Sequence, residues 1–346
     1  MKSKKVAVAM SGGVDSSVTA LLLKQSGYDV VAITGDMTGD LELLNKASQI
    51  CQHLGIEHIV LDLREKFDNE VIKYFEDTYK QGATPNPCAI CNRNVKWGSL
   101  FDYAINVLEC DYFATGHYAN INNINGKFRL ERAQCDNKDQ LYFLCFLSQE
   151  DLAKTIFPLG KYSSKDEIRK IAQENGLPSQ SYKDSQGVCF IKKPLSVKKY
   201  LYKKFGEQRG KVINVSTGKV IGKHEGYYQY TVGQRKGLGI ADKFPLYVTE
   251  IDAENNIVYV GYEADTYSNE LNLIDINWQQ DDFKNKEFIA QAKVRYNSPA
   301  KRCRVIANGA SAKIIFDEAV FAIAKGQFAV IYDEENKYLI AGGKIV

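Results

Sequence analysis

Residues 6–10 of this chain are an apolar run, residues 16–25 carry helical periodicity closed by Gly27, and Ser11-Gly12-Gly13-Val14-Asp15-Ser16 lies between them. A strand that enters a helix through two glycines is a strong constraint. Without Cβ atoms the backbone can turn sharply, and the unpaired amides at the helix start stay open. Those amides, with the positive end of the helix dipole, form a cradle for phosphate oxygens. Ser11 and Ser16 add hydroxyl donors, and Asp15 is an acid able to hold Mg²⁺ on a pyrophosphate. The chain has no Gly-x4-Gly-Lys-Ser/Thr and no opening Gly-x-Gly-x-x-Gly, so neither a Walker loop nor a dinucleotide site fits. The alternative is a plain glycine-rich turn. The strand-to-helix position, together with two serines and an aspartate, favours phosphate.

Beyond this loop the alternation continues. Strands are predicted at 30–34, 59–63 and 112–115, with helices at 41–54 (stopped by Gly55), 67–81 and 92–108. Such alternation predicts a parallel sheet with helices on both faces. Asn125-Gly126 marks a hairpin between 119–124 and 127–132, and Ser164-x-x-Glu167 is a capping box opening a helix that ends near Gly176. From about Leu195 the texture changes to short β-like runs, at 210–214, 218–222 and 247–260, and further strands fill 273–346. The expected fold class is α/β: a doubly wound parallel sheet over residues 1–194, a small β-rich central domain over 195–268, and a C-terminal β-barrel over 269–346. A length of 346 residues suits two or three domains.

Net charge is only +3, but its distribution is uneven. Residues 181–243 hold 14 Lys and Arg against 4 Asp and Glu, a local +10, which leaves −7 for the rest. The same stretch contains Tyr182, Tyr200, Tyr202, Phe205, Tyr227, Tyr228 and Tyr230. Cations interleaved with aromatic rings suit a polyanion with bases to stack, that is, nucleic acid; a solvated basic face is the alternative. No run of about 18 apolar residues is present, so no membrane span is expected. The apolar stretch behind the charged start is too short for a signal peptide, and a cytoplasmic location is expected. In a reducing compartment, eight cysteines do not form a disulfide framework. Cys51, Cys110, Cys135, Cys145 and Cys303 stand singly among apolar neighbours and read as core.

The other three cysteines sit in motifs. Thr84-Pro85-Asn86-Pro87-Cys88-Ala89-Ile90-Cys91-Asn92-Arg93 places a Cys-x2-Cys after a loop stiffened by two prolines, where a helix begins. A thiol at a helix start has a depressed pKa, and Arg93 and Lys96 would lower it further. The alternative is half of a zinc site, but no second Cys-x2-Cys exists and the four histidines lack ligand spacing. Asp184-Ser185-Gln186-Gly187-Val188-Cys189-Phe190-Ile191 read alone is a buried strand cysteine; beside the other two motifs Cys189 reads as a second reactive thiol.

The first motif resembles the PP-loop of ATP pyrophosphatases, and the three motifs in this order resemble the MnmA family of tRNA-uridine 2-sulfurtransferases (tRNA 2-thiouridylases) of that superfamily. Thr115-Gly-His-Tyr118, Lys138-Asp-Gln140, Tyr230-Thr-Val-Gly-Gln-Arg-Lys-Gly-Leu-Gly-Ile240, Lys293-Val-Arg-Tyr296 and Gly326-Gln327 extend the likeness over nearly the whole chain. The resemblance implies a PP-loop (adenine nucleotide alpha hydrolase-like) domain, a small central domain and a C-terminal β-barrel. It implies ATP contacts at Ala9, Met10, Ser11, Gly12, Gly13, Val14, Asp15, Ser16, Met37 and Gly116. It makes Cys91 the nucleophile and Cys189 the persulfide carrier. Asn86, Pro87 and Cys88 would lie beside the target base, and His117, Lys138, Asp139, Gln140, Arg295, Tyr296 and Gln327 would contact tRNA. Two departures stand out. Some members have Asp where this chain has Cys88, and the segment 38–47 is shorter than the family's usual insertion.

The reaction so implied begins with adenylation of the C2 oxygen of the wobble uridine of tRNA by ATP with Mg²⁺, which turns a poor leaving group into AMP. Sulfur follows from the Cys189 persulfide, either by direct attack on C2 or as hydrosulfide released when Cys91 attacks the persulfide. Either route can end in a transient Cys91–Cys189 disulfide reset by cellular reductants. The uridine must flip out of its stack. Implied partners are tRNA and a sulfur-donor protein, a sulfurtransferase or cysteine desulfurase, with no membrane. Three alternatives remain: a tRNA-thiolating relative with an iron–sulfur cluster on Cys88, Cys91 and Cys189; an amidotransferring PP-loop synthetase, which needs no paired thiols; and a β-barrel RNA-binding protein with a degenerate N-terminal sheet, against which the intact loop argues.

Overall fold

Val6, Ala7 and Val8 are fully buried in strand β1 (Lys5–Ala9), as a central strand with a layer on each face requires. β1 pairs in parallel with β2 (Asp29–Asp36) on one side and β4 (Tyr112–Ala114) on the other. With β3 (Glu57–Asp62) and β7 (Thr155–Ile156) they make a five-stranded sheet of order β3-β2-β1-β4-β7, every pair parallel. Alternate residues go to opposite faces. Val6, Val8, Val30 and Ala32 join the core formed with α1 (Val14–Gln25), α2 (Leu41–Leu54) and α3 (Lys165–Glu174), through Val18, Ile50 and Ile168 among others. Phe113 faces the other layer, where the rings of Trp97 and Phe101 meet it edge-on at 5.7 and 5.8 Å. The doubly wound reading therefore holds.

This structure, a computed structural model, describes residues 3–182 and 187–346, in two compact units. One comprises Met1–Ile72, Cys88–Gln186 and Lys337–Ala341; the other comprises Lys73–Pro87, Gly187–Asn336 and Gly342–Val346. In the first unit, local chemistry fixes the element ends. The Asp40 carboxylate accepts from the amides of Glu42 and Leu43 at the head of α2, and Gly55 closes that helix in the left-handed region. The Ser164 hydroxyl accepts from Glu167 N to start α3. The hairpin forms as expected, β5 (Asn120–Ile124) against β6 (Lys127–Glu131).

Three boundaries differ from expectation. α1 starts at Val14, because Gly13 is extended and serves as its cap. The predicted helix 67–81 is three consecutive pieces, Arg64–Phe67, widened turns at Asp68–Ile72, and Lys73–Lys80. The helix expected from residue 92 instead begins with Pro87–Cys91, since a proline in the first turn gives up only an amide that has no helical partner. Cys88 thus sits in the first turn and Cys91 at its end.

In the second unit, β8 (Gly210–Asn214), β9 (Val220–His224), β10 (Tyr247–Asp252) and β11 (Ile257–Gly261) form a sheet of order β10-β11-β8-β9. The strand predicted at 218–222 starts two residues later because Asn214 makes a turn, its side-chain oxygen accepting from Ser216 N and Thr217 N. The run 247–260 is a hairpin, turned by Asp252 accepting from Asn255 N. Helix α4 (Val197–Phe205) and the segment Lys73–Lys80 belong to this unit: Phe75 packs on Phe190 at 5.2 Å, and Tyr200 donates to Glu76. Strands β12 (Tyr267–Trp278), β13 (Glu287–Lys293), β14 (Lys301–Asn308), β15 (Ser311–Phe321), β16 (Phe328–Tyr332) and β17 (Leu339–Ile345) form a closed barrel of order β12-β15-β14-β13-β16-β17. Closure leaves no strand edge unpaired.

Trp97 is 3% exposed, and its indole N–H donates to Thr155 Oγ1 on edge strand β7. Trp97→Phe is expected to cost about 1–2 kcal/mol through the lost hydrogen bond, and Trp97→Ala about 3–5 kcal/mol through the cavity. Urea unfolding followed by fluorescence and circular dichroism measures both. An Ala variant within about 0.5 kcal/mol of the parent would contradict this packing.

Candidate active site

The loop between β1 and α1 is held in place from within. Gly12 has φ +76°, and a Cβ there would lie 3.1–3.2 Å from Leu43 O, Ala47 N and Lys46 Cβ of α2. Ser16 Oγ and Ser17 Oγ donate to Gly13 O at 3.0 and 2.7 Å, and Ser11 N donates to Ser16 Oγ at 3.3 Å. The serines therefore shape the loop as well as lining it. Met10, 2% exposed, is anchored on both sides: its N–H donates to Ile33 O, and its carbonyl accepts from Thr34 Oγ1 at 2.7 Å. Since the Thr34 hydroxyl proton is used there, the 2.8 Å contact with His58 requires His58 Nε2 to be the donor. Burial lowers the His58 pKa, so this ring is neutral at pH 7. Ala9 ends β1, and Met37 is half-buried just past the end of β2.

Asp15 lies in the first turn of α1 with both carboxylate oxygens engaged. Tyr118 OH donates to Oδ1 at 2.9 Å, and Lys165 Nζ to Oδ2 at 2.6 Å. The Lys165 ammonium offsets the charge of this carboxylate beside the helix start. Gly116 allows this assembly. A Cβ there would stand 2.9 Å from Asp15 C and Cβ and 3.0 Å from Ser16 N, so only glycine lets this segment approach the head of α1 so closely. Lys165 and Tyr118 are the site residues that sequence reasoning missed. The only local signal for Lys165 was the cap at Ser164, 148 residues after Ser16. Tyr118 stood in a quoted motif without a role.

The segment after Gly116 continues into the other residues singled out. His117 Nδ1 contacts Thr115 Oγ1 at 2.7 Å, and its ring lies near Trp97 and Phe157 at 5.8 and 6.1 Å. Desolvation, aided by the Lys96 charge, pushes its pKa well below the usual value, so His117 is a neutral ring at pH 7. Tyr118 N donates to Gln140 Oε1, and Gln140 N returns to Tyr118 O, both at 3.0 Å. Asp139 is 4% exposed; it accepts from Ala133 N at 3.1 Å and faces Arg132 at 3.5 Å, which makes it a local brace. Lys138 is half-exposed beside it. Gly116, His117 and Gln140 are thereby joined to the loop through Tyr118 and Asp15.

In the second unit, Gln327 Nε2 donates to Pro85 O at 2.9 Å, beside Asn86, which is 7% exposed, and buried Pro87. The Arg295 guanidinium donates to Val232 O at 2.8 Å and Ala322 O at 2.7 Å, tying the 230–240 motif to the barrel. Lys293 lies 5.7 Å above the Tyr296 ring. On α4, Lys198, Lys199, Lys203 and Lys204 are all exposed, and Lys204 pairs with Glu76 at 2.9 Å. Asp184, Ser185 and Gln186 of the third motif lie outside the described residues.

Among the thiols, Cys88 and Cys189 are exposed and Cys91 is 9% exposed. The exposure of Cys189 departs from the buried-strand reading of its motif taken alone. Cys51, Cys110, Cys135, Cys145 and Cys303 are buried, and desolvation raises the thiol pKa of Cys51 to about 11 and of Cys145 and Cys303 to about 12. Among the described residues, no group of three or more His, Cys, Asp or Glu side chains is placed to hold a metal ion.

Comparison with known proteins gives a consistent set. A family model described as the tRNA methyl transferase HUP domain matches residues 4–193. The tRNA methyl transferase PRC-barrel domain matches 198–262, and the aminomethyltransferase beta-barrel domain 268–345. A tRNA-specific 2-thiouridylase MnmA of Nostoc punctiforme is 40% identical over 351 residues, covering 99% of each chain. That of Gloeothece citriformis is 42% identical over 349 residues, again covering 99% of each. That of Clostridioides difficile is 40% identical over 364 residues, covering 99% of this chain and 98% of its own.

Iodoacetamide on the native protein at about pH 8 is expected to modify Cys88 and Cys189 first, Cys91 more slowly, and Cys51, Cys145 and Cys303 only on unfolding. Raising the pH should speed the exposed thiols, because the thiolate reacts. Peptide mapping reads the order, and labelling of Cys145 ahead of Cys189 would contradict it.

Proposed function

The chain belongs to the MnmA family of tRNA-specific 2-thiouridylases, and we propose from that membership that it adenylates the C2 oxygen of the wobble uridine of tRNA with ATP and replaces it with sulfur. The observation that carries the proposal is the phosphate cradle of Gly12 and Gly13 at the head of α1, with Asp15 and Lys165 beside it, in a chain that matches such enzymes from end to end. The domain models speak of methyl transfer. Methyl transfer cleaves no nucleoside triphosphate at this step, so it would leave the cradle without a task. Three catalytic and binding domains over 1–194, 195–268 and 269–346 are in keeping with the three matched segments.

Each part of the chain has a role in this reading. The open amides of α1, the loop backbone and Ser11 bind the phosphates. Lys165 offsets negative charge as pyrophosphate departs. Asp15 would hold Mg²⁺ in exchange for Lys165, and the ion would supply further neutralisation of the phosphates. The uridine C2 oxygen attacks the α-phosphorus and pyrophosphate leaves; the persulfide sulfur then reaches C2 and expels AMP, the S–S bond to Cys189 breaking as Cys91 and Cys189 are left joined in a disulfide that cellular reductants reset. Cys189 carries that sulfur as a persulfide received from a donor protein, a sulfurtransferase or cysteine desulfurase. Its exposure favours this, since a carrier thiol must be reached from outside. Cys91 is shielded, which suits a thiol that meets the carried sulfur and not outside reagents. Asn86, Pro87 and Cys88 line the base, and His117, Lys138, Gln140, Arg295, Tyr296 and Gln327 stand toward tRNA or order the segments that do. No helix among the described residues is long and apolar enough to cross a membrane, and a tRNA substrate suits the cytoplasm.

Two measurements follow. Asp15→Ala should abolish tRNA-dependent pyrophosphate release while tRNA affinity stays within about threefold, because the acid serves the nucleotide and not the polyanion. Normal pyrophosphate release by this variant would remove the nucleotide-site assignment. Replacing Lys198, Lys199 and Lys203 together with Gln should flatten the log–log salt dependence of tRNA binding by about 1–2 units, whereas Lys204→Gln, whose charge already faces Glu76, should change it less. An unchanged slope would return this helix to the status of a solvated basic face.

A further inference from the structure

Gln327 matched a tRNA-contacting position by resemblance, yet its side-chain amide is directed at the protein's own backbone. Nε2 donates to Pro85 O at 2.9 Å. The neighbouring contacts form a clasp. Thr84 N donates to Lys325 O at 2.8 Å. Gly326 has φ +86°, and a Cβ there would lie 2.9 Å from Ala83 Cβ, 3.0 Å from Thr78 Cγ2 and 3.1 Å from Thr84 N. Tyr74 OH lies 3.5 Å from Gly326 O and 3.4 Å from Asn86 N. The clasp itself is locked to the end of β17, with Gly326 N donating to Ile345 O and Ile345 N to Gln327 O at 2.9 and 2.8 Å.

The clasped segment has an unusual need for it. Pro85 and Pro87 have no N–H, so two of its four residues cannot anchor themselves through backbone donors. The carbonyl of Pro85 and the amide of Thr84 are both held by the Ala324–Gln327 turn, beside the contact of Asn86 N with Tyr74 OH. From Pro87 the chain runs directly into Cys88 and, one turn later, Cys91. A small shift of an activated group is expensive in rate even when binding is intact.

We propose that Gln327 is a positioning residue, which fixes residues 84–87 through Pro85 O and so sets the course of the backbone that delivers the Cys88–Cys91 motif; this rests on the thiolation reading above. Its primary effect is therefore on the rate of sulfur transfer and only secondarily on affinity for tRNA.

The test uses the full chain with Gln327→Glu, which keeps the shape but cannot donate at neutral pH, and Gln327→Met, which removes both polar atoms. Two readouts are taken: hydrogen exchange of residues 83–88 in the protein alone, and single-turnover thiolation at saturating tRNA together with the tRNA Kd. Both variants should exchange about tenfold faster in this segment and thiolate about tenfold more slowly, with Kd within about threefold. Gly326→Ala should reproduce the exchange pattern. Unchanged exchange overturns the proposal, as does an unchanged saturating rate. A weakened Kd with the saturating rate preserved makes Gln327 a direct tRNA contact and overturns it equally. If the wild type does not thiolate tRNA at all, the function above falls, and the exchange arm alone decides the clasp.

Discussion

At the head of α1, backbone segments approach closely at two places where side chains are missing. Gly12 meets α2 and Gly116 meets Asp15, each at distances that a Cβ would close. Strand β1, buried on both faces, holds the loop from below, and Thr34 holds Met10 from the side. The charge arrangement follows from this approach. Once the Gly116 segment lies against α1, Tyr118 reaches Asp15, and Lys165 at the first turn of α3 completes the set. Remove the close approach and the cradle loses its shape and its cation together.

The thiol chemistry obeys a different constraint. A buried thiol in an apolar core is held protonated, which is the state of Cys145 and Cys303, with pKa values raised to about 12. Cys88 and Cys189 are exposed, whereas Cys91, 9% exposed, lies at the end of the first turn of its helix. The Pro-Asn-Pro segment before them has few donors of its own, so its placement depends on neighbours such as the Ala324–Gln327 turn.

Much of this was legible in the sequence, for physical reasons. A strand, two glycines and a helix leave little choice of local geometry, the Ser164 hydroxyl caps its helix, and Gly55, without a Cβ, closes α2 in the left-handed region. Burial of Cys51 and Cys303 followed from their apolar neighbours. What was not legible depends on distance along the chain. Nothing near Lys165 shows that it faces Asp15, 150 residues away, and nothing near Gln327 shows that it reaches Pro85, 242 residues away. The start of the Cys88–Cys91 helix was misplaced because two prolines were weighed as loop formers, although proline is also at home in a helix's first turn. Asp139 and Arg295 match tRNA-contacting positions by resemblance; in the protein alone Asp139 accepts from Ala133 N and Arg295 donates to Val232 O.

The most direct test of the account is mass spectrometry of nucleosides from unmodified tRNA incubated with the protein, ATP, Mg²⁺ and a persulfide source. The account predicts 2-thiouridine at the wobble position, formed only when ATP is present and matched by one AMP and one pyrophosphate per sulfur. Sulfur incorporation without ATP, or a methylated uridine in place of a thiolated one, would contradict it.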